Sequence, residues 1–195
     1  MEPHPERFLQ SCDVIDFVAP AIQRAASKLR GKDESETARH CFEFVRDEIK
    51  HSSDHQLNPV TCRASDVLTH RTGYCYAKSH LLCALLRANQ IPAGLCYQRL
   101  IVADGKPTFC LHGLNAVFLA DYGWYRIDAR GNRDGIDAQF DPPRQRLAFQ
   151  AESRGECDFP EIHVVPLPQI IRCLSESVSW DGVYGNLPDV VPTDE

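Results

Sequence analysis

The sequence predicts an α+β domain, with a helical N-terminal half followed by an antiparallel sheet. Three observations predict it. Up to about Asn89, apolar residues recur at helical spacing between start and stop signals. From Leu95 to Asp128 the pattern becomes short apolar runs separated by turn residues. Between the two, the stretch from Cys75 to Asn89 is apolar over much of its circumference, as a helix buried on most sides must be. The sheet is expected to pack on that central helix.

Each element follows in order. Pro20 opens a first helix through AIQRAASKL, and Gly31 stops it. Asp33 and Glu36 resemble a capping box for the next helix, with Asp in place of Ser or Thr. That helix carries Ala38, Cys41, Phe42, Val45 and Ile49 on one face. A polar loop, HSSDHQLNP, precedes a short helix from Ala64 to Thr69. Gly73 breaks the chain just before Tyr74 and Cys75. The central helix ends at Asn89, since Pro92 cannot continue it. Strands are predicted at Leu95–Val102, Leu114–Leu119 and Trp124–Asp128, with turns at Asp104-Gly105 and at Asp121 to Gly123. Strands so closely spaced pair as an antiparallel meander. Beyond Asp128 the prolines at 142, 143, 160, 166, 168 and 188 predict an extended, wrapping segment rather than a second domain. One domain is therefore expected over 1–195, with its core at about 35–132 and a wrapping segment over 133–195.

Composition narrows the function. A chain of 195 residues supports one core and is short for two. With 43% hydrophobic and 25% charged residues it is ordinary globular material. Its formal net charge is −6 and no basic run or face stands out, so no nucleic-acid partner is expected. The opening MEPHPERFLQSCDV lacks the features of a secretory signal, and no apolar run is long enough to span a membrane. A cytoplasmic protein with no membrane partner is the expectation. Nine cysteines, an odd number, then read as free thiols. No close pair of the C-x₂₋₄-C kind is present, so neither a zinc site nor any other cofactor is expected.

One cysteine stands apart. Cys75 falls in the first turn of the central helix, where the dipole and free N–H groups favour a thiolate. A nucleophilic thiol also needs a base, and the base needs an orienting group. His112 opens one predicted strand and Asp128 ends its neighbour, so the two side chains can lie side by side. His80 is five residues beyond Cys75, about 140° around the helix, and points elsewhere. His51, His55 and His70 read as solvent-facing or pocket-rim residues, and Lys78 as part of a solvated helix face. The second donor for an oxyanion, beside the Cys75 N–H, has Gln56 and Asn58 as candidates.

These residues carry a family resemblance. The segment SDVLTHRTGYCYAKSHLLCALLRANQIPAGLCYQRL resembles the catalytic-cysteine region of the transglutaminase-like superfamily. HGLNAVFLADYGWYRIDARGN is similar to its histidine strand, turn, aromatic-rich strand and aspartate, and CFEFVRDEIKHSSD to the helix that comes before. The resemblance covers about residues 35 to 132. It implies a transglutaminase-like, papain-like core with Cys75, His112 and Asp128 as a triad. It implies cysteine-dependent acyl transfer on a peptide, protein or small amide, through a thioester and without a cofactor. Hydrolysis is the expected outcome rather than transamidation, because no amine channel is legible. A peptide-binding module of the same fold and an acyltransferase of the arylamine acetyltransferase type are the alternatives. The chain departs from the family at Tyr76, where Trp or Gln is frequent, at Gly113, where Ala often follows the histidine, and after Asp128, where Pro is common and Ala129 and Arg130 stand here. These neighbours of the triad shape the acyl pocket. The chain is far shorter than animal transglutaminases, so the resemblance does not extend to their calcium sites and flanking β domains.

Overall fold

The computed structural model describes residues 3–102 and 108–192. The helical half comprises α1 (Pro20–Lys28), α2 (Glu34–Glu48), α3 (Ser52–His55), α4 (Ala64–His70) and α5 (Cys75–Ala88). Pro20 takes the first turn of α1, where its missing N–H costs nothing. Asp33 caps α2 by accepting from the Glu36 N–H at 2.8 Å, and Glu36 reaches back to the Lys32 N–H at 2.7 Å. Two short strands, β1 (Lys50–His51) and β2 (Thr72–Gly73), pair in parallel and join the end of α2 to the start of α5. The sequence pattern misses both, being only two residues each.

Three strands form the meander: β3 (Ala93–Ile101), β4 (Phe109–Leu119) and β5 (Gly123–Ile127). β4 begins five residues before the predicted Leu114, so His112 lies inside it rather than at its start. The predicted Asp104-Gly105 turn lies outside the described residues. Two hairpin strands follow, β6 (Gln139–Asp141) and β7 (Arg144–Arg146), and then β8 (Cys157–Asp158) pairs with β3. The main sheet runs β5-β4-β3-β8, antiparallel throughout. The proline-rich segment is extended for much of its length, yet it also carries α6 (Pro168–Glu176) and α7 (Trp180–Tyr184). Its prolines mask α6 from a pattern reading, although Pro168 simply occupies that helix's first turn.

Every residue of α5 is buried. Its apolar side chains meet α1, α2 and α4 on one side and β3 and β4 on the other. Polar residues on the same helix are buried too, and each finds a partner. Arg87, fully enclosed, donates to the Ala93 carbonyl from Nε at 2.9 Å and Nη2 at 2.8 Å, to Gln10 at 2.5 Å and to Val164 at 2.7 Å. It thereby ties the N-terminal segment, the entry to β3 and the C-terminal segment to one point. Lys78 is not on a solvated face, contrary to the sequence expectation. Its Nζ donates to the carbonyls of Ile49 and, at 3.3 Å, Arg46, so it caps the C-terminal end of α2. Burial is the main reason its pKa falls to about 7.

Arg87→Leu is expected to lower unfolding free energy by about 1–3 kcal/mol, since it strands the buried Ala93 carbonyl, whereas the part-buried carbonyls of Gln10 and Val164 can turn to water. Urea denaturation measures it. A loss below about 1 kcal/mol would mean that water reaches the Ala93 carbonyl as well.

Candidate active site

Cys75 is the first residue of α5, placed there by β2. Gly73 does not break the chain by an unusual turn. A Cβ on it would come within 3.0 Å of the Ala77 Cβ and 3.2 Å of Thr61 Oγ1, so its bareness lets the first helical turn close onto β2. The thiol is 8% exposed and opens on a cleft of about 430 Å³. All nine cysteines are unpaired. Burial pushes Cys62 and Cys83 up to about 11 and Cys41, Cys96 and Cys110 up to about 12, and it raises Cys157 and Cys173 as well.

The β4–β5 register pairs Asn115 with Ile127, so Asp128 falls opposite Leu114 and diagonal to His112 on the same face. The two side chains meet: His112 Nε2 lies 2.8 Å from Asp128 Oδ2. Asp128 is fully enclosed. Its carboxylate also accepts from the Arg130 N–H at 3.0 Å and the Ala148 N–H at 3.1 Å. Burial opposes its charge, but the facing imidazole and these donors outweigh burial and hold it below the usual carboxylate range. With Nε2 engaged by Asp128, Nδ1 is the ring nitrogen left to face Cys75, which lines the same cleft. Burial opposes the imidazolium too. The charges of Asp128 and Cys75 prevail, and the pKa of His112 rises to about 10. Phe149 stands edge-on to the ring at 4.9 Å and keeps it in this plane.

The structure thus places Cys75 and His112 in the lining of one cleft, with Asp128 buried against His112. Two departures from the family pattern explain each other. Tyr76 is buried and donates from its hydroxyl to the Leu111 carbonyl, and a Cβ on Gly113 would come within 3.0–3.1 Å of Tyr76 Cδ1 and Cα. Glycine after the histidine thus lets β4 approach the ring and backbone of Tyr76 closely, where an alanine would have to push the first turn of α5 back by a few tenths of an ångström.

Of the other residues considered from sequence, His80 is buried with Nδ1 2.8 Å from the Cys62 carbonyl, and burial drops its pKa to about 4. His55 and His70 are exposed. Gln56 does not line the cleft, and Asn58 Oδ1 is committed to the Trp180 N–H at 2.9 Å. His51 is not in a loop. It ends β1, is buried, and lines the cleft. Sequence reading also passed over Asp54 and underrated Arg130, which form a two-bond ion pair at 2.6 and 2.8 Å. The clue was Arg130 itself, standing close behind Asp128 where the family pattern changes. Among the described residues, no three His, Cys, Asp or Glu side chains are grouped to hold a metal.

Comparison with known proteins bears on the fold. The sequence profile described as the transglutaminase-like superfamily matches residues 23–129. Among solved structures, a candidate cysteine protease from Cytophaga hutchinsonii is similar with a TM-score of 0.51 and 22% identity, over 67% of this chain and 43% of that one. The periplasmic domain of TgpA from Pseudomonas aeruginosa is similar with a TM-score of 0.49 and 16% identity, over 66% of this chain and 48% of that one. The chain therefore covers less than half the length of either structure. No curated protein matches it.

The raised pKa of His112 makes a stability prediction. A group held above its unfolded value contributes fully below that value and loses its contribution as pH rises through the folded pKa. The stability difference between wild type and His112→Asn should therefore be constant below about pH 6.5 and change steadily against the wild type between pH 6.5 and about 10. Paired urea titrations across this range check it. A difference flat to pH 10 would mean that the imidazolium is not held.

Proposed function

The chain belongs to the transglutaminase-like superfamily, and we propose that it hydrolyses amide bonds through a thioester on Cys75. One observation carries this reading: Cys75 at a helix N-terminus shares a cleft with His112, whose far nitrogen is held by a buried aspartate. The substrate is a peptide, a protein or a small amide.

The chemistry follows from the charges. His112 carries a proton through neutral pH, which makes it the counter-charge for a Cys75 thiolate. The thiolate attacks the amide carbonyl and forms a C–S bond. The developing oxyanion meets free N–H groups of the first turn of α5. His112 gives its proton to the departing amine as the C–N bond breaks. Asp128 keeps the ring in the tautomer and plane that this transfer needs. Water then releases the acyl group. Hydrolysis is favoured over transamidation because the cleft has a wet rim, at Arg133 and the half-exposed Tyr184.

The reading is testable without a known substrate. Iodoacetamide reacts with thiolates, so at pH 6 and limiting reagent it should label Cys75 first, as mass spectrometry of the digest would show. In His112→Ala, labelling at pH 6 should fall while labelling at pH 9 persists. The helix dipole, at about 0.3–1 kcal/mol, cannot replace the lost imidazolium. Even labelling across several cysteines would sink the assignment, and so would Cys75 labelling at pH 6 that survives His112→Ala. Once a substrate is in hand, Cys75→Ala should abolish turnover. Asp128→Asn should lower kcat by up to ~10⁴, the loss seen at the equivalent role in serine proteases. A change under about twofold would mean that another group orients His112.

A further inference from the structure

β4 leaves part of one edge open beside His112. β3 covers one side of it from Phe109 to Val117, but β5 covers the other only from Asn115 onward. Leu111 turns its backbone groups to that open side, because its partner Arg99 turns its own toward β8. A bare strand edge pairs readily with another extended chain. Here the protein's own C-terminal segment takes the place. The Leu111 N–H donates to the Pro188 carbonyl at 2.7 Å. Next to it, Leu187 lines the cleft that holds Cys75 and His112. Val190 and Val191 line a second cavity, of about 520 Å³, with Tyr97 and Phe159. Leu111 lines both spaces, so residues 187–190 run between them.

Few bonds hold this segment. Residues 187–192 belong to no helix or strand. The firmest tie is one ion pair, in which Arg99 Nε and Nη2 each donate to a carboxylate oxygen of Asp189 at 2.7 Å. Arg99 is itself fixed: Nη1 donates to the Gly155 carbonyl at 2.9 Å, and the guanidinium lies 3.7 Å from the centre of the Phe109 ring. Upstream, α7 is anchored through Trp180, whose N–H donates to Asn58 Oδ1 and whose carbonyl accepts from the Tyr74 hydroxyl. The segment thus starts from a fixed helix and is latched at Asp189, and Val191 just beyond is exposed.

We propose that residues 187–190 are a displaceable strap in the place of an extended polypeptide substrate, latched by Asp189 on Arg99. The proposal rests on the reading of Cys75 as nucleophile and narrows its substrate to polypeptide chains. With the strap lifted, the cleft and the second cavity join in one groove along the edge of β4, past His112. A chain lying there takes over the Leu111 N–H. Its apolar side chains fill the places of Leu187 and Val190, which now pack against the core. Backbone bonds to a strand edge, with pockets for alternate side chains, are a general way of gripping an extended peptide. A small reagent needs no such groove, since it meets Cys75 in the cleft as it stands.

The test compares a small and a peptidyl reagent on Cys75 at pH 6. Iodoacetamide is the small one, and acetyl-trialanyl chloromethyl ketone the peptidyl one. Asp189→Asn removes the latching charge at nearly constant size. Loss of that charge-assisted pair should speed the peptidyl reagent about tenfold and leave iodoacetamide within about twofold of wild type. Exchange of the Leu111 amide, followed by NMR, should quicken by a similar factor. Asp189→Lys, which sets a like charge against Arg99, should move both readings further in the same direction. Leu111 exchange unchanged in both variants would overturn the proposal, since the ion pair would not be the latch. Faster exchange with an unchanged peptidyl rate would overturn it too, because the strap would move without guarding the groove. So would a slower peptidyl rate, which would make the segment a fixed wall of the binding site. Equal acceleration of both reagents would mean a changed thiol rather than a changed entrance, and would count equally against it. A wild type in which iodoacetamide does not favour Cys75 is a different result. It removes the nucleophile reading, while Leu111 exchange still reports on the strap.

Discussion

The structure depends on burying one helix completely while leaving its first residue accessible. α5 is enclosed from Cys75 to Ala88, and three of its enclosed side chains are Lys78, His80 and Arg87. Interior polar groups of this size are tolerated only when they are paired. Here the partners are backbone carbonyls at the end of α2, at Cys62, at Gln10, at Ala93 and at Val164. These carbonyls surround the helix. Turning α5 about its axis, or sliding it by a residue, would break all these bonds at once. The polar spokes therefore fix rotation and height, which the greasy surface of α5 could not fix alone, since apolar packing is non-directional. The position of the Cys75 thiol follows from that.

The sheet is registered against the helix by the same means. Asn115 donates to the Ser79 carbonyl at 3.0 Å and the Gly94 carbonyl at 3.2 Å, which links β4 to α5 and to β3. Asn115 is three residues from His112, so the tie fixes the imidazole's height relative to Cys75. The Tyr76–Gly113 contact seals the same junction one residue from each partner. A nucleophile and its base on different elements need sub-ångström control of their separation. In this chain that control comes from side chains flanking the pair.

What was legible in the sequence is what local chemistry writes. The Asp33 cap, the first-turn Pro20, the α5 boundaries and the three-strand meander are announced by residue type and spacing over a few positions. The placing of His112 against Asp128 and in one cleft with Cys75 was legible from the order of elements, although His112 lies inside β4 rather than at its start. Lys78 was misread for a physical reason. A lysine on a helix is normally solvated, and nothing local reveals that the C-terminal end of α2, twenty-nine residues back at Ile49, points its carbonyls at that spot. His51 was read as a loop residue, solvent-facing or at a pocket rim, and does line the cleft, while Asp54 was passed over. They sit in what looks like polar loop, and their placement comes from a two-residue parallel pairing and from an arginine 76 residues away. α6 was lost because prolines that start a helix and prolines that forbid one look alike in a weakly periodic segment.

Arg130 shows how the site's two sides are coupled. Its backbone N–H donates to Asp128 Oδ1, and its guanidinium grips Asp54. One residue therefore touches both carboxylates that face an imidazole in this cleft. The two contacts differ in kind. The backbone donor stabilises the negative charge of Asp128 and so helps to keep a proton on His112. Burial is the main reason a proton is disfavoured on His51, and the guanidinium, while neutralising Asp54, adds a positive charge that works in the same direction. The same residue thus favours opposite protonation states in two histidines of one cavity. Arg130 is therefore where the two sides of the cleft are joined, with one carboxylate held beside His112 and another beside His51.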